Sequence, residues 1–170
     1  MKLNHGQVPK RFRVGFTLVE LLVVIAILAI LASIGLPSFQ RILADYRVTS
    51  QVNAVQGLLQ FARAEAVKRT AFVTVCSDGD ALFVRVSEDC RNPPGSGDPV
   101  GSGDPDNLRV LPLDDRLTLT YNEKPVEVMT FAPSGYTANT GILDVQHHSP
   151  DITRTIRLIG SGFSEVLPPN

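Results

Sequence analysis

The sequence predicts an α+β protein: one long N-terminal helix, membrane-spanning in its first half and amphipathic in its second, packed against an antiparallel β-sheet head of short strands. Three observations predict it. Residues Phe16 to Leu36 form an almost unbroken apolar run. Val48, Val52, Val55, Leu59, Ala62 and Ala66 then recur at spacings of four and three, and after Thr70 the apolar period drops to two. A chain of 170 residues with 44% hydrophobic content has the size of one domain with one core, which excludes a disordered or collagen-like protein.

Charge divides the chain unevenly. The formal balance of −1 includes Lys2, Lys10, Arg11 and Arg13, which no acid offsets within the first 15 residues. Without that leader the remainder holds 12 basic against 17 acidic residues, near −5. An acidic body argues against non-specific nucleic-acid binding, which draws on phosphate neutralisation by Lys and Arg.

The apolar run spans 21 residues from Phe16 to Leu36, long enough for a helix to cross a hydrocarbon core of about 30 Å. The basic leader would stay in the cytoplasm and place the rest outside. A cleaved secretory signal would need a small-x-small site, for which only Ser33 and Gly35 offer poor candidates. A plain signal anchor explains the length and the charge but leaves Glu20 unexplained. A carboxylate at the centre of a membrane helix costs about 2.5 to 3.5 kcal/mol on insertion scales and marks function by default. The position of Glu20 near the start of the span softens that cost.

Here the residues carry a resemblance. Gly15 to Phe39, G-FTLVELLVVIAILAILASIGLPSF, resembles the class III signal of type IV pilins and pseudopilins. In that family the leader ends in Gly, the mature chain begins with Phe, and the fifth mature residue is Glu. The resemblance implies cleavage by prepilin peptidase between Gly15 and Phe16, N-methylation of Phe16, and pairing of Glu20 with the terminal amine of a neighbouring subunit. The expected organisation is a leader over residues 1–15, a membrane and fibre-core helix over 16–44, and a periplasmic head over 45–170.

Gly35 and Pro37 mark a weak place in the helix, because Pro37 has no N–H to bond the carbonyl of Ser33; a bend or local melting is expected there. Beyond it the amphipathic face continues to about Arg69. Gln51, Asn53, Gln56, Gln60 and Arg63 lie opposite that face, and Lys68 and Arg69 suit the helix C-terminus. A helix from Phe16 to Arg69 would measure roughly 80 Å at 1.5 Å per residue, more than a globular domain needs.

The stretch Ala71 to Val86 alternates on both sides of Ser77-Asp78-Gly79-Asp80, which reads as a β-hairpin covering the apolar helix face. Residues Arg91 to Asn107, with GSGDP twice, read as an exposed Pro/Gly/Asp loop and a candidate partner contact. Strands are expected at Leu108–Pro112, Leu117–Tyr121, Val126–Phe131, Ile142–Gln146, Thr153–Ile159 and Phe163–Leu167. Cys76 and Cys90, behind an export signal, read as one disulfide in an oxidising compartment; two unrelated buried thiols are the alternative. Closing that loop of about 15 residues would stabilise the fold by roughly 3 kcal/mol in the chain-entropy model.

No phosphate loop, zinc-protease helix or nucleophile elbow is present, so no enzymatic activity, cofactor or metal is expected. Asp98, Asp104 and Asp106 do not match an EF-hand loop. Adjacent His147 and His148 would point to opposite faces of a strand and cannot share an ion.

A second resemblance narrows the family. Leu58 to Cys76, LLQFARAEAVKRTAFVTVC, is similar to the helix-to-strand junction of the GspH/FimT group, and Met129 to Thr137 and Arg154 to Phe163 follow that group more loosely. Its DNA-binding members carry Gly-Arg-x-Arg near the end, whereas Gly162-Phe163-Ser164-Glu165 stands here, so nucleic acid is not an expected partner. Arg154 and Arg157 read as a solvated strand face. The resemblance places a FimU-like minor pilin first, the H pseudopilin of type II secretion second and a DNA-binding minor pilin third. It implies a subunit of the inner membrane and then of the pilus fibre or tip. Its partners would be other minor pilins, the major pilin, prepilin peptidase, the inner-membrane assembly platform and membrane lipid.

Overall fold

The computed structural model describes residues 16–90, 106–126 and 128–168. The order is α1 (Leu18–Arg69), β1 (Val73–Ser77), β2 (Ala81–Arg85), β3 (Asn107–Pro112), β4 (Leu117–Tyr121), β5 (Lys124–Pro125), β6 (Val128–Phe131), β7 (Gly141–His148), β8 (Asp151–Leu158) and β9 (Ser164–Val166). The chain divides between Phe39 and Gln40 into an N-terminal unit and a head. In the N-terminal unit the described residues up to Leu36 are exposed, and α1 passes through Gly35 and Pro37 with its helical assignment unbroken, so the weak place is not a melted segment.

The antiparallel head expected from the sequence consists of two sheets: four strands in the order β3-β2-β1-β6, and five in the order β5-β4-β7-β8-β9. The expected hairpin is β1 and β2, paired Thr74 to Arg85 through Ser77 to Leu82. The expected strand Val126–Phe131 is present as β6, Val128–Phe131, while Lys124 and Pro125, read from the sequence as part of the preceding turn, form the short strand β5. Lys124 and Pro125 pair with β4, whereas Val128 to Phe131 pair with β1, so the chain changes sheets between them. Pro125 has no N–H and is accommodated because β5 is an edge strand. Asn107, assigned to the loop on sequence, begins β3; residues 91–105 lie outside the described residues.

The head begins where α1 acquires a buried face. Val48, Val55, Leu59, Ala62 and Ala66 are fully buried, with Val52 and Leu58 almost so, and they meet Val73, Val75, Leu82, Val84, Met129 and Phe131 of one sheet and Leu143, Val145, Ile156 and Leu158 of the other. One core is therefore shared by a helix and two sheets. Cys76, fully buried on β1, forms a disulfide with Cys90.

Polar side chains on the flanks of α1 fasten it to the sheet edges. Gln51 donates to the Pro112 carbonyl at the end of β3 (3.4 Å), and Gln56 donates to the Ser164 carbonyl of β9 (3.1 Å). Arg154 of β8 donates to Asp45 at 2.7 Å. Arg157 instead pairs with Glu165 at 3.2 Å. The two arginines are an odd number of residues apart on one strand and so lie on opposite faces, which corrects the reading of a shared solvated face.

The helix ends on a compact ion-paired turn. Glu65, residue exposure 8%, accepts from Lys68 at 3.1 Å and from Arg69 at 2.6 Å, while Thr70 takes positive φ (51°) and starts the turn into β1. The hydrogen bond from Arg69, then that from Lys68, holds the Glu65 carboxyl below its ordinary value, against the opposing effect of burial.

Two outcomes follow. Leu59→Ala should destabilise the head by about 2 to 5 kcal/mol, measured by denaturant unfolding, because its side chain is enclosed on all sides and leaves a cavity. The Glu65 pairing stabilises the fold above the unfolded-state pKa and is lost as pH falls through the lower folded value. The stability advantage of the wild type over Glu65→Gln, measured by thermal melting, should therefore be full at neutral pH and shrink progressively below about pH 4.5.

Candidate assembly site

Two places in the chain carry the residues singled out by sequence. The first is the start of α1. Thr17 acts as its N-cap: the Glu20 N–H donates to Thr17 Oγ1 at 3.2 Å, and the Leu21 N–H donates to the Thr17 carbonyl at 3.2 Å. Thr17 and Glu20 thus stand in the S/T-x-x-E arrangement of a capping box, a signal present in the sequence but not used above. Glu20 also lies in the first turn, where the helix dipole favours an anion. Phe16 is 77% exposed and Glu20 is exposed, so none of the described residues covers either one. Gly15 lies outside the described residues. Among the described residues, α1 is the one helix long and apolar enough to cross a membrane.

The second place is the far end of the helix in the head, where three separated sequence motifs meet. In Ala62-Arg63-Ala64-Glu65-Ala66-Val67-Lys68-Arg69, Ala62 and Ala66 are small enough to lie flat in the core, and Arg63 reaches out to donate from Nε to the Gly135 carbonyl at 3.2 Å. Gly135 closes the turn after Phe131 with φ 78°, a conformation that suits glycine, and its N–H donates to the Ala132 carbonyl at 2.8 Å. Gly162, φ 75°, lies so close that a Cβ there would stand 2.1 Å from the Gly135 carbonyl oxygen. Any larger residue at 162 would push the β8–β9 turn away from the Gly135 turn.

The four residues at the position of the DNA-binding motif do not act as a cationic unit. Phe163 is 49% exposed, Ser164 is fully buried on β9, and Glu165 is held by Arg157. His147 is buried with Nδ1 near the Pro150 carbonyl (3.1 Å), while exposed His148 meets Thr118 Oγ1 through Nε2 (2.8 Å), so the two rings turn away from one another. Among the described residues no three His, Cys, Asp or Glu side chains are placed to hold a metal.

Comparison with known proteins agrees with this layout. Residues 51–162 match the family of type II transport protein GspH, and residues 15–36 match the prokaryotic N-terminal methylation motif. A fimbrial protein of Pseudomonas aeruginosa is 35% identical over 69 residues, 41% of this chain and 45% of that protein. The type IV major alpha-pilin of Moraxella bovis is 53% identical over 45 residues, 26% of each chain. The chain therefore spans less than half the length of these relatives. The fold is that of the type IV minor pilin FimU of Pseudomonas aeruginosa, with a TM-score of 0.51 at 16% identity, over 76% of this chain and 91% of that one. A prepilin-like N-terminal motif, one apolar helix and a soluble α+β head are joined in a structural, non-enzymatic protein: the chain belongs to the GspH family of type IV pilin-like proteins.

Proposed function

We propose that this chain is a minor pilin that helps to prime assembly of a type IV pilus and is incorporated at or near its tip, through packing of its helix and contacts with other minor pilins and the major pilin. The observation that carries the reading is the asymmetry of α1. Its second half is sheathed by the chain's own head, while the residues from Phe16 to Leu36 are exposed among the described residues and contain one carboxylate. A bilayer covers the apolar part before assembly and neighbouring helices cover it afterwards.

Cleavage by prepilin peptidase after Gly15 would free the Phe16 amine, which would then be methylated and would remain a cation. Glu20 of one subunit pairs with that cation on the next. In a water-poor bundle a charge without its partner costs far more than a matched pair, so the pair selects one stagger over all others. Thr17 supports this role by capping the first turn and fixing the backbone from which Glu20 projects. The assembly platform of the inner membrane would be the place where helices move from lipid to fibre.

The family match to a type II transport protein favours a second reading, an H pseudopilin at the tip of a secretion pseudopilus. The physical chemistry of the helix is the same in both. Recovery of the cross-linked partners from cells separates them: pilus minor pilins support the first reading and pseudopilins the second. A DNA-receptor role lacks its cations at Phe163 and Glu165, as described above.

N-terminal sequencing of the processed protein should begin at Phe16; a mature chain that starts after Gly35 or retains Met1 would sink the reading. Glu20→Ala should leave the head folded by circular dichroism and reduce recovery in sheared fibres by about a hundredfold, the equivalent of roughly 3 kcal/mol for a stranded partner charge. Glu20→Gln can still cap the helix but cannot neutralise an amine, so it should fail in the same way.

A further inference from the structure

The head carries two exposed surfaces of opposite charge at different levels along its helix. The first is an open groove of about 540 Å³ lined by Gln60, Arg63, Ala64, Val67, Lys68, Gly162 and Phe163. Its floor is apolar and accessible, since Val67 and Phe163 are each about half exposed. Its charged walls are Arg63 and Lys68, the latter with 73% of its side chain exposed, and no acid is among the described lining residues. Glu65 offsets part of the charge of Lys68 and Arg69 from behind the groove.

The second surface is a pair of adjoining turns. Asp78-Gly79-Asp80 links β1 to β2, Asp114-Asp115 lies between β3 and β4, and the Leu113 N–H joins the turns by donating to the Asp80 carbonyl at 2.9 Å. Asp78 and Asp114 are committed to backbone N–H groups of their own turns, whereas Asp80 and Asp115 are exposed. Arg116 and Arg47 are the cations acting on Asp114. These turns lie level with Arg47 and Gln51 of α1, and the groove with Gln60 to Lys68, a separation of about 25 Å at 1.5 Å per residue.

We propose that the acidic turns of one head dock against the Arg63/Lys68 groove of a second copy of this chain. Complementary patches on different parts of one surface make a heterologous contact, which leaves both outer patches free and propagates along an axis instead of closing on itself. That is the symmetry of a fibre, and the contact deepens the filament reading on which it rests: copies follow one another in the priming complex instead of entering singly. Charge complementarity would fix the register of heads while the apolar floor excludes water around the pairs.

The test uses the full chain in detergent micelles, with self-association read as the dimer fraction by sedimentation velocity. Lys68→Glu reverses the groove; Asp80→Lys with Asp115→Lys reverses the turns. Each variant alone should lose about tenfold in self-association constant, and 0.5 M salt should have a similar effect on the wild type. An equimolar mixture of the two variants should recover the wild-type level, because each then presents the complement of the other. Unchanged self-association in the single variants, or a mixture that stays at their level, overturns the contact. Far-UV circular dichroism confirms that each variant is folded. Incorporation into fibres is scored separately and does not enter the micelle result, so failure of the filament reading and failure of the contact are distinguishable.

Discussion

Burial of one face of α1 beneath two sheets is the constraint on which the head depends. Val48, Val52, Val55, Leu58, Leu59, Ala62 and Ala66 are each no more than 1% exposed, and both sheets meet on them. At about 25 cal/mol per Å² of apolar surface, this burial is the main favourable contribution that offsets the ordering of nine short strands, several too short to hold together alone. The edges are then secured from the same helix, by Gln51 on one sheet and Gln56 on the other. Residues 16–36 obey the same physics with the opposite result. They are as apolar as the buried face but are exposed among the described residues, and in the proposed fibre lipid or other chains would cover them.

The junction of Arg63, Gly135 and Gly162 shows why family motifs far apart in sequence belong together. Each does a separate job. Alanines 62 and 66 let the helix sink into the core, Arg63 holds a turn carbonyl, and the two glycines allow turns to approach where a side chain would clash. None of these roles is chemical in the catalytic sense. They set the position of the β8–β9 turn, and with it the exposed Phe163 beside Val67. The surface this turn forms with the helix is thus positioned by contacts to the head's own backbone.

What was legible in the sequence is what is local. The helix face could be read because its 3.6 period persists from Val48 to Ala66, and the first hairpin because Asp-Gly interrupts two alternating runs. The division into two sheets was not. Lys124 and Pro125 read as part of a turn, yet they pair with β4 in one sheet while Val128 to Phe131, just after them, pair with β1 in the other; the choice is made by tertiary partners that alternation cannot name. The same holds for Arg154, whose partner Asp45 is 109 residues away. Thr17 was different, since its spacing from Glu20 is a recognised start signal that the apolar run eclipsed.

The capping geometry also bears on why an acid at that position could set a stagger. Two parallel helices in perfect alignment would place amine beside amine and carboxylate beside carboxylate, with the positive dipole ends adjacent as well. Every one of those pairings is repulsive, and in a medium of low dielectric constant repulsion is only weakly screened. Displacement by about one turn, the four residues from Phe16 to Glu20 or roughly 6 Å, brings opposite charges level instead. The apolar contacts between helices change little over such a shift, because residues 21–32 are uniformly apolar and offer no register of their own. In the proposed fibre the hydrophobic surface would supply the attraction while leaving the axial position undecided. One charge per helix then decides it.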